Sequence, residues 1–336
     1  METAGGAQVE NVRTTMKGVV YSSYGSPDVL RLEETDRPEV GEDEVEIRVR
    51  AASVNPYEWH FMRGEPLPMR ARAGWRRPKD PRIGVDMAGV VSAVGRSVTG
   101  FKPGDEVFGA GKGAFAEYGI APEHHLAHKP VNVSFEQAAA VPIAAFTAIQ
   151  GLRDCARIQS GQKVLINGAA GGVGTYAVQL AKMWGADVTA VCSTPNVEMV
   201  GSIGADQVID YTKDDFTQGP DRYDLVFDMI GNHSLSECRR VLASDGTFVM
   251  IGGRAGRWFR PIDRVLLIAA VSRFVSQTML TCSASWSKDD LLLMQQLMET
   301  GQVVSVIDRT YPLNQVPDAI RYVEAGHARG KVVITI

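Results

Sequence analysis

The sequence is poor in cysteine: among 336 residues it has four, Cys155, Cys192, Cys238 and Cys282. They are too far apart for a CxxC pair or for the dense spacing of a disulfide-stapled secreted domain, so reduced thiols in a cytosol are expected. Positive charge is also in deficit. With 35 Lys+Arg against 39 Asp+Glu the net charge is -4, which leaves no global field to hold nucleic acid against salt, and none is expected as a partner. Long apolar runs are missing as well: the longest, Val265 to Val271, is far short of the ~20 residues that cross a bilayer, so no membrane span is expected. Residues 1–16 contain acids and no apolar h-region of a secretory signal. They are expected to form a disordered arm of a cytoplasmic protein.

What is present suits about two ordinary domains: the apolar content is 45%, enough to fill their cores. From Lys17 to about Leu126 short alternating stretches such as Glu44 to Ala51, broken by turn residues, predict a β-rich, barrel-like domain. From about Phe135 strands alternate with helical segments. Val164 to Asn167, Val188 to Cys192, Gln207 to Asp210, Leu225 to Met229, Thr247 to Ile251 and Ser276 to Leu280 supply the six strands of a doubly wound parallel sheet. After Cys282, helices over Lys288 to Glu299 and Val316 to Glu324 and strands near Val304 to Asp308 and Lys331 to Ile336 are too few for a domain of their own. They are expected to return to the first domain. The fold class is therefore α/β, with a catalytic domain of residues 17–137 and 283–336 interrupted by a dinucleotide-binding domain of residues 138–282.

The chemistry begins directly after the strand KVLIN, with Gly168-Ala169-Ala170-Gly171-Gly172-Val173-Gly174 and then a helically spaced TYAVQLAKMWGA. In a dinucleotide-binding loop the middle glycine lets backbone N–H groups approach a pyrophosphate, and the last lets the helix pack on its strand. Gly171 and Gly174 fit those positions, with Ala169 where the first glycine usually stands. An acid about 20 residues on would select NAD by gripping the ribose 2'-hydroxyl. Val191 to Asn196 has none, so NADPH is favoured and NADH is not excluded. Ser193, Thr194, Asn196 and, on the next strand, Tyr211 with Lys213 are the candidate contacts to that end of the cofactor.

Together with MKGVVYSSYGSPDVLRLEE, ASVNPYEWHFMRG, GVDMAGVVSAVG, FKPGDEVFG, AAAVPIAAFTAIQGL, GADQVIDY and HARGKVVITI, this loop resembles the medium-chain dehydrogenase/reductase superfamily in its zinc-free quinone oxidoreductase branch. The resemblance implies a GroES-like catalytic domain, an inserted Rossmann domain and a homodimer. Where the superfamily's alcohol dehydrogenases carry zinc ligands, this chain has Asn55, Val85 and Ile143, none of them a thiolate, imidazole or carboxylate. No zinc is expected. Without a Lewis acid to make an alkoxide, the expected reaction is hydride transfer to an acceptor that is already electrophilic, a quinone or an α,β-unsaturated carbonyl. A cofactor-binding interaction protein with little or no turnover is the rival from another class.

The resemblance places Asn55, Tyr57, Glu58 and His60 at the cleft. Asn55 is the candidate donor to a substrate carbonyl, and His60 or Tyr57 the candidate proton donor. Thr147 matches a position that contacts the nicotinamide. Ile230, Gly231, Gly252 and Gly253 end strands at the carboxyl edge where open α/β sheets bind ligands, and Lys331 matches a basic position used on the cofactor's phosphate or ribose. With Ala170, Gly171, Gly172, Val173 and Gly174 these complete the candidate cofactor set. Seven basic residues between Arg63 and Arg82, with four prolines and Trp75, predict a long loop over the cleft.

Overall fold

The computed structural model describes residues 14–251 and 262–336. The six expected strands form one parallel sheet in the order Gln207–Asp210, Asp187–Cys192, Lys163–Asn167, Tyr223–Asp228, Leu242–Met250 and Thr278–Thr281. Counted within this sheet the order is 3-2-1-4-5-6, the doubly wound order whose reversal beside the first strand opens a crevice for a ligand. Val164 to Asn167 are buried without alternation, as expected of a strand covered on both faces. Tyr176 and Phe227 are fully buried in the core around it. Burying an aromatic side chain of this kind contributes about 1.5 to 3 kcal/mol, which anchors the face of the first strand that carries Val164 and Ile166.

The second, seven-stranded sheet is built from both ends of the chain. Its central strand, Glu44–Val54, pairs antiparallel with Asp86–Val94, with Tyr118–Pro122 and with the C-terminal strand Lys331–Thr335. The segments after Cys282 thus return to the first part of the chain, although the strand expected near Val304 runs over Ile307–Pro312. Helices Lys288–Glu299 and Val316–Glu324 have the expected limits. At the other end, Thr15 and Met16, expected in the arm, already pair with Asp36 and Thr35 in a two-stranded sheet.

One expectation is overturned. Cys155 and Cys282, 127 residues apart, form a disulfide, while Cys192 and Cys238 are free and buried. Spacing along the chain could not show this pair. Cys155 ends a helical segment lying beside the sheet and Cys282 directly follows its last strand, so only the three-dimensional winding brings them together.

Candidate functional site

The first wall of the site is backbone. After Lys163–Asn167 the chain turns at Gly168, whose φ of +93° is left-handed, so this residue and not Ala169 makes the turn. The helix Gly172–Met183 starts at Gly171 with no side-chain cap. Its first-turn N–H groups, on Gly172, Val173 and Gly174, have no acceptor within the helix and form its positive end. A Cβ on Gly174 would overlap the Gly168 carbonyl oxygen, whereas one on Gly171 would meet only that oxygen, at 3.4 Å. The last glycine therefore serves helix–strand contact, and the middle one leaves an open approach to the amides. Ala169 and Ala170 are buried beneath the loop.

The second wall is a buried ionic cluster. Asn55 caps the helix Pro56–Arg63 and is only 2% exposed. Its Nδ2 donates to Asp86 Oδ2 at 3.0 Å, and its Oδ1 accepts from Lys331 Nζ at 2.5 Å. The amide expected to reach a substrate is thus committed inside the protein. Asp86 also accepts from Ser53 Oγ at 3.2 Å and from the Ile143 N–H at 3.3 Å. Glu58 Oε2 accepts the Asn55 N–H at 2.7 Å, while its buried Oε1 has no partner. Burial, then the charge of Asp86, pushes the Glu58 carboxyl up to about 8. Burial pushes Asp86 up to about 6 against the pull of Lys331, and lowers Lys331 against the pull of both acids.

Lys331 joins the walls. A Cβ on Gly172 would lie 2.9 Å from its Cδ, and Gly171 forms a parallel bridge with Gly330. A lysine expected to contact the cofactor directly is instead 3% exposed beneath the glycine loop. Two further links were not read from the sequence. Tyr176 Oη lies 2.7 Å from Ser305 Oγ, and the Gln179 amide exchanges hydrogen bonds with the backbone of Val304.

The other candidates divide by setting. Ile143 and Thr147, one turn apart, are the half-buried positions of an otherwise buried helix, Pro142–Ile149, and Thr147 Oγ1 bonds back to the Ile143 carbonyl at 2.7 Å. Ile230 leans over the loop, its Cδ1 2.8 Å from where a Gly168 Cβ would stand, and the N–H groups of Ile230 and Gly231 are held by Asp228. Arg264, a residue sequence reasoning missed, donates to the Gly231 carbonyl and to Asp228, and its buried Nε is unpartnered. Gly252 and Gly253 lie outside the described residues. Ser193 Oγ accepts from Asn196 Nδ2, and Thr194 donates to Asp210 Oδ2 at 2.6 Å. Asp210 is a carboxylate near the expected ribose end that the search over Val191 to Asn196 missed. The hydroxyl of Thr194, with further donors from Thr212 and Lys213, holds it well below the usual carboxylate range. Tyr211 is exposed beside it.

Tyr57 is 46% exposed, whereas His60 is half-buried, stacked on Trp59, with Nδ1 3.0 Å from the Glu65 carbonyl. A carbonyl only accepts, so Nδ1 carries the proton and Nε2 of the neutral ring has none to give. Burial lowers the His60 pKa, which favours that neutral form. The basic stretch is not a bare loop. It contains short helical turns at Leu67–Met69 and Arg70–Ala73, Arg63 is paired with Glu324 and Arg82 with Asp80, and Arg70 packs over Tyr24. Among the described residues no group of three or more His, Cys, Asp or Glu is placed to hold a metal, and no helix is long and apolar enough to cross a membrane.

Comparison with known proteins agrees with this architecture. Residues 41–131 match the alcohol dehydrogenase GroES-like domain, and residues 203–334 match the family described as zinc-binding dehydrogenase. The chain is 36% identical to a 2-methylene-furan-3-one reductase of Solanum lycopersicum, over 96% of this chain and 80% of that protein. It is also 36% identical to a chloroplastic NADPH-dependent alkenal/one oxidoreductase of Arabidopsis thaliana, over 95% of this chain and 79% of that one. The solved quinone oxidoreductase of Coxiella burnetii superposes with a TM-score of 0.84 at 28% identity, covering 96% of this chain and 99% of that structure. A glycine-bounded helix start at the switch point of a 3-2-1-4-5-6 sheet, set against a GroES-like lobe and found with these likenesses, places the chain in the quinone oxidoreductase branch of the medium-chain dehydrogenase/reductase superfamily.

Proposed function

We propose that this protein is a zinc-independent, NADPH-preferring reductase of quinones or conjugated enones. The observation that carries the reading is the uncapped N-terminus of the Gly172–Met183 helix, open at Gly171 and facing a wall whose former ligand positions hold an amide and two alkyl groups. The first-turn amides of Gly172, Val173 and Gly174 fit a pyrophosphate. Ser193, Thr194, Asn196, Tyr211 and Lys213 surround the expected 2'-phosphate end, where the charge of Asp210 is absorbed by its own donors. Thr147, Ile143, Ile230 and Gly231 border the place of the nicotinamide, and Gly252 and Gly253 are kept as candidates in the same edge.

When bound, the cofactor supplies a hydride. The chain's part is to hold acceptor and ring together, exclude water and deliver a proton. We assign the proton to the exposed Tyr57 hydroxyl, replenished from solvent, rather than to His60, whose ring proton is held by Glu65. A homodimer belongs to the proposal: Thr278–Thr281 is an edge strand, and Leu266, Leu267 and Phe274 close by are exposed. So does a domain division at 137/138 and 282/283, whereas a cytoplasmic location loses its support from reduced thiols with the Cys155–Cys282 disulfide.

The test is NADPH oxidation with an ortho-quinone and with a short conjugated enone, before and after chelation. Steady turnover unaffected by chelator is expected. Stoichiometric zinc required for activity would refute the metal-free reading, and tight NADPH binding without turnover on either acceptor would favour an interaction protein.

A further inference from the structure

The cluster of Lys331, Asn55, Asp86 and Glu58 is more elaborate than a helix cap requires. A capping glutamate needs one oxygen on one N–H and ordinarily stands in water. Glu58 is 1% exposed and leaves Oε1 without a partner, and the cluster around it contains one cation and two acids, all buried. The ionisable groups facing Glu58 from the packed strands are Asp86 and Lys331, with the Tyr176 phenol beyond Asp86. If all three members were ionised, an uncompensated negative charge would remain in a buried site. A stranded buried charge is far costlier than a neutral set, so the cluster keeps one proton.

We propose that Lys331, Asp86 and a protonated Glu58 form, through Asn55, an electrically neutral cross-link that holds the glycine loop against the catalytic lobe, making Lys331 a positioning residue for the cofactor. The aliphatic stem of Lys331 lies against Gly172, its neighbour Gly330 bridges Gly171, and its ammonium grips Asn55. Asp86 extends the link to the Ile143 N–H at the start of the helix that carries Thr147. Three cofactor-facing elements thus share one charge balance. The three positions where metal-dependent relatives have ligands are Asn55, a neighbour of Asp86 in sequence, and a residue bonded to Asp86, so an internal ammonium supplies the cross-linking that a metal ion would otherwise provide. The burial that raises the Glu58 carboxyl supports the neutral state at pH 7.

This inference rests on the cofactor reading above, and the experiment separates the two. NADPH dissociation constants are measured by fluorescence, without turnover, for the wild type, Lys331→Met, Lys331→Met/Asp86→Asn and Glu58→Gln. Lys331→Met should weaken NADPH binding about tenfold or more, and the double variant should regain at least about fivefold, because no carboxylate is stranded. Wild-type affinity should fall as pH rises past about 8, while Glu58→Gln, which stays neutral, should hold its affinity to pH 9. A well-folded Lys331→Met with wild-type affinity, a double variant as weak as the single one, or an unchanged pH dependence in Glu58→Gln would each overturn the cross-link. If Lys331→Met does not fold, the Glu58→Gln profile decides. A wild type that binds no NADPH at any pH would instead sink the functional reading.

Discussion

The two walls of the cleft are made of opposite materials. The glycine loop has no charged side chain and presents backbone N–H groups, whereas the facing wall buries two carboxyls and an ammonium among Ser53, Asn55 and Ile143. Backbone amides keep their polarity at any ordinary pH and need only space around them. Buried ions need an exact count of protons and partners. The first wall is therefore sensitive to volume and the second to charge, and substitutions can break each wall in its own way.

The largest effect is expected at Gly174. A methyl group there overlaps the Gly168 carbonyl oxygen and lies 2.7 Å from the Ala169 carbonyl carbon, so Gly174→Ala must push the helix off its strand. We expect a loss of roughly 2 kcal/mol or more of stability, together with cofactor binding, read by thermal unfolding and NADPH titration. Gly171 contrasts with it. Its Cβ position is nearly open, so Gly171→Asp should fold with an almost unchanged Tm yet lose NADPH affinity by about a hundredfold, because a carboxylate faces the pyrophosphate. Equal damage to stability from both substitutions would erase the distinction between packing glycine and binding glycine.

The charged wall should respond to pH instead. The Glu58 pKa is raised by folding, so its favourable contribution is fully present below the unfolded value near 4.5 and is lost as pH rises through about 8. The wild-type Tm should therefore fall between pH 6 and pH 9, by an amount corresponding to about 1 kcal/mol or more. Glu58→Gln should flatten that part of the curve. A wild-type Tm that stays level over this range would show that Glu58 does not hold its proton in the folded protein.

How much of each wall could be read in the sequence follows from the same contrast. Gly171 and Gly174 stand three residues apart between a strand and a helix, and that local pattern announces its chemistry. The six strands of the parallel sheet were legible for a similar reason, since strands and helical segments alternate along this part of the chain. The ionic cluster draws on positions 53, 55, 58, 86, 143 and 331, and no spacing rule connects them. Asn55 and Lys331 were singled out in the sequence, but their contact with each other inside the protein was not legible there. The Cys155–Cys282 pair and the Gly231–Arg264 contact were hidden because they depend on how helices lie across the sheet.

A smaller effect is expected where the amide wall reaches the ribose. Asp210 is engaged by Thr194, Thr212 and Lys213, whereas a carboxylate at position 193 would have only Asn196 Nδ2 beside it and no cation. Ser193→Asp should move the ratio of NADPH to NADH kcat/KM toward NADH by about tenfold, since it would repel the 2'-phosphate and accept from a free 2'-hydroxyl. An unchanged ratio would place the ribose elsewhere.

The smallest effect is expected at His60, although its residue type alone makes it the more obvious acid. Tyr57→Phe and His60→Phe both keep an aromatic ring and remove a polar hydrogen, so they compare the two donors at similar shape. Tyr57 is exposed, and losing its hydroxyl should lower kcat about tenfold without changing NADPH affinity, with solvent supplying the rest. His60 already spends its Nδ1 proton on the Glu65 carbonyl and is neutral because it is buried, so His60→Phe should leave kcat within about threefold and its pH profile unshifted. If His60→Phe instead removes an acid limb from the profile while Tyr57→Phe does nothing, the imidazole must turn over during the reaction to free its proton, and the Glu65 contact would then be a resting-state latch on a catalytic histidine.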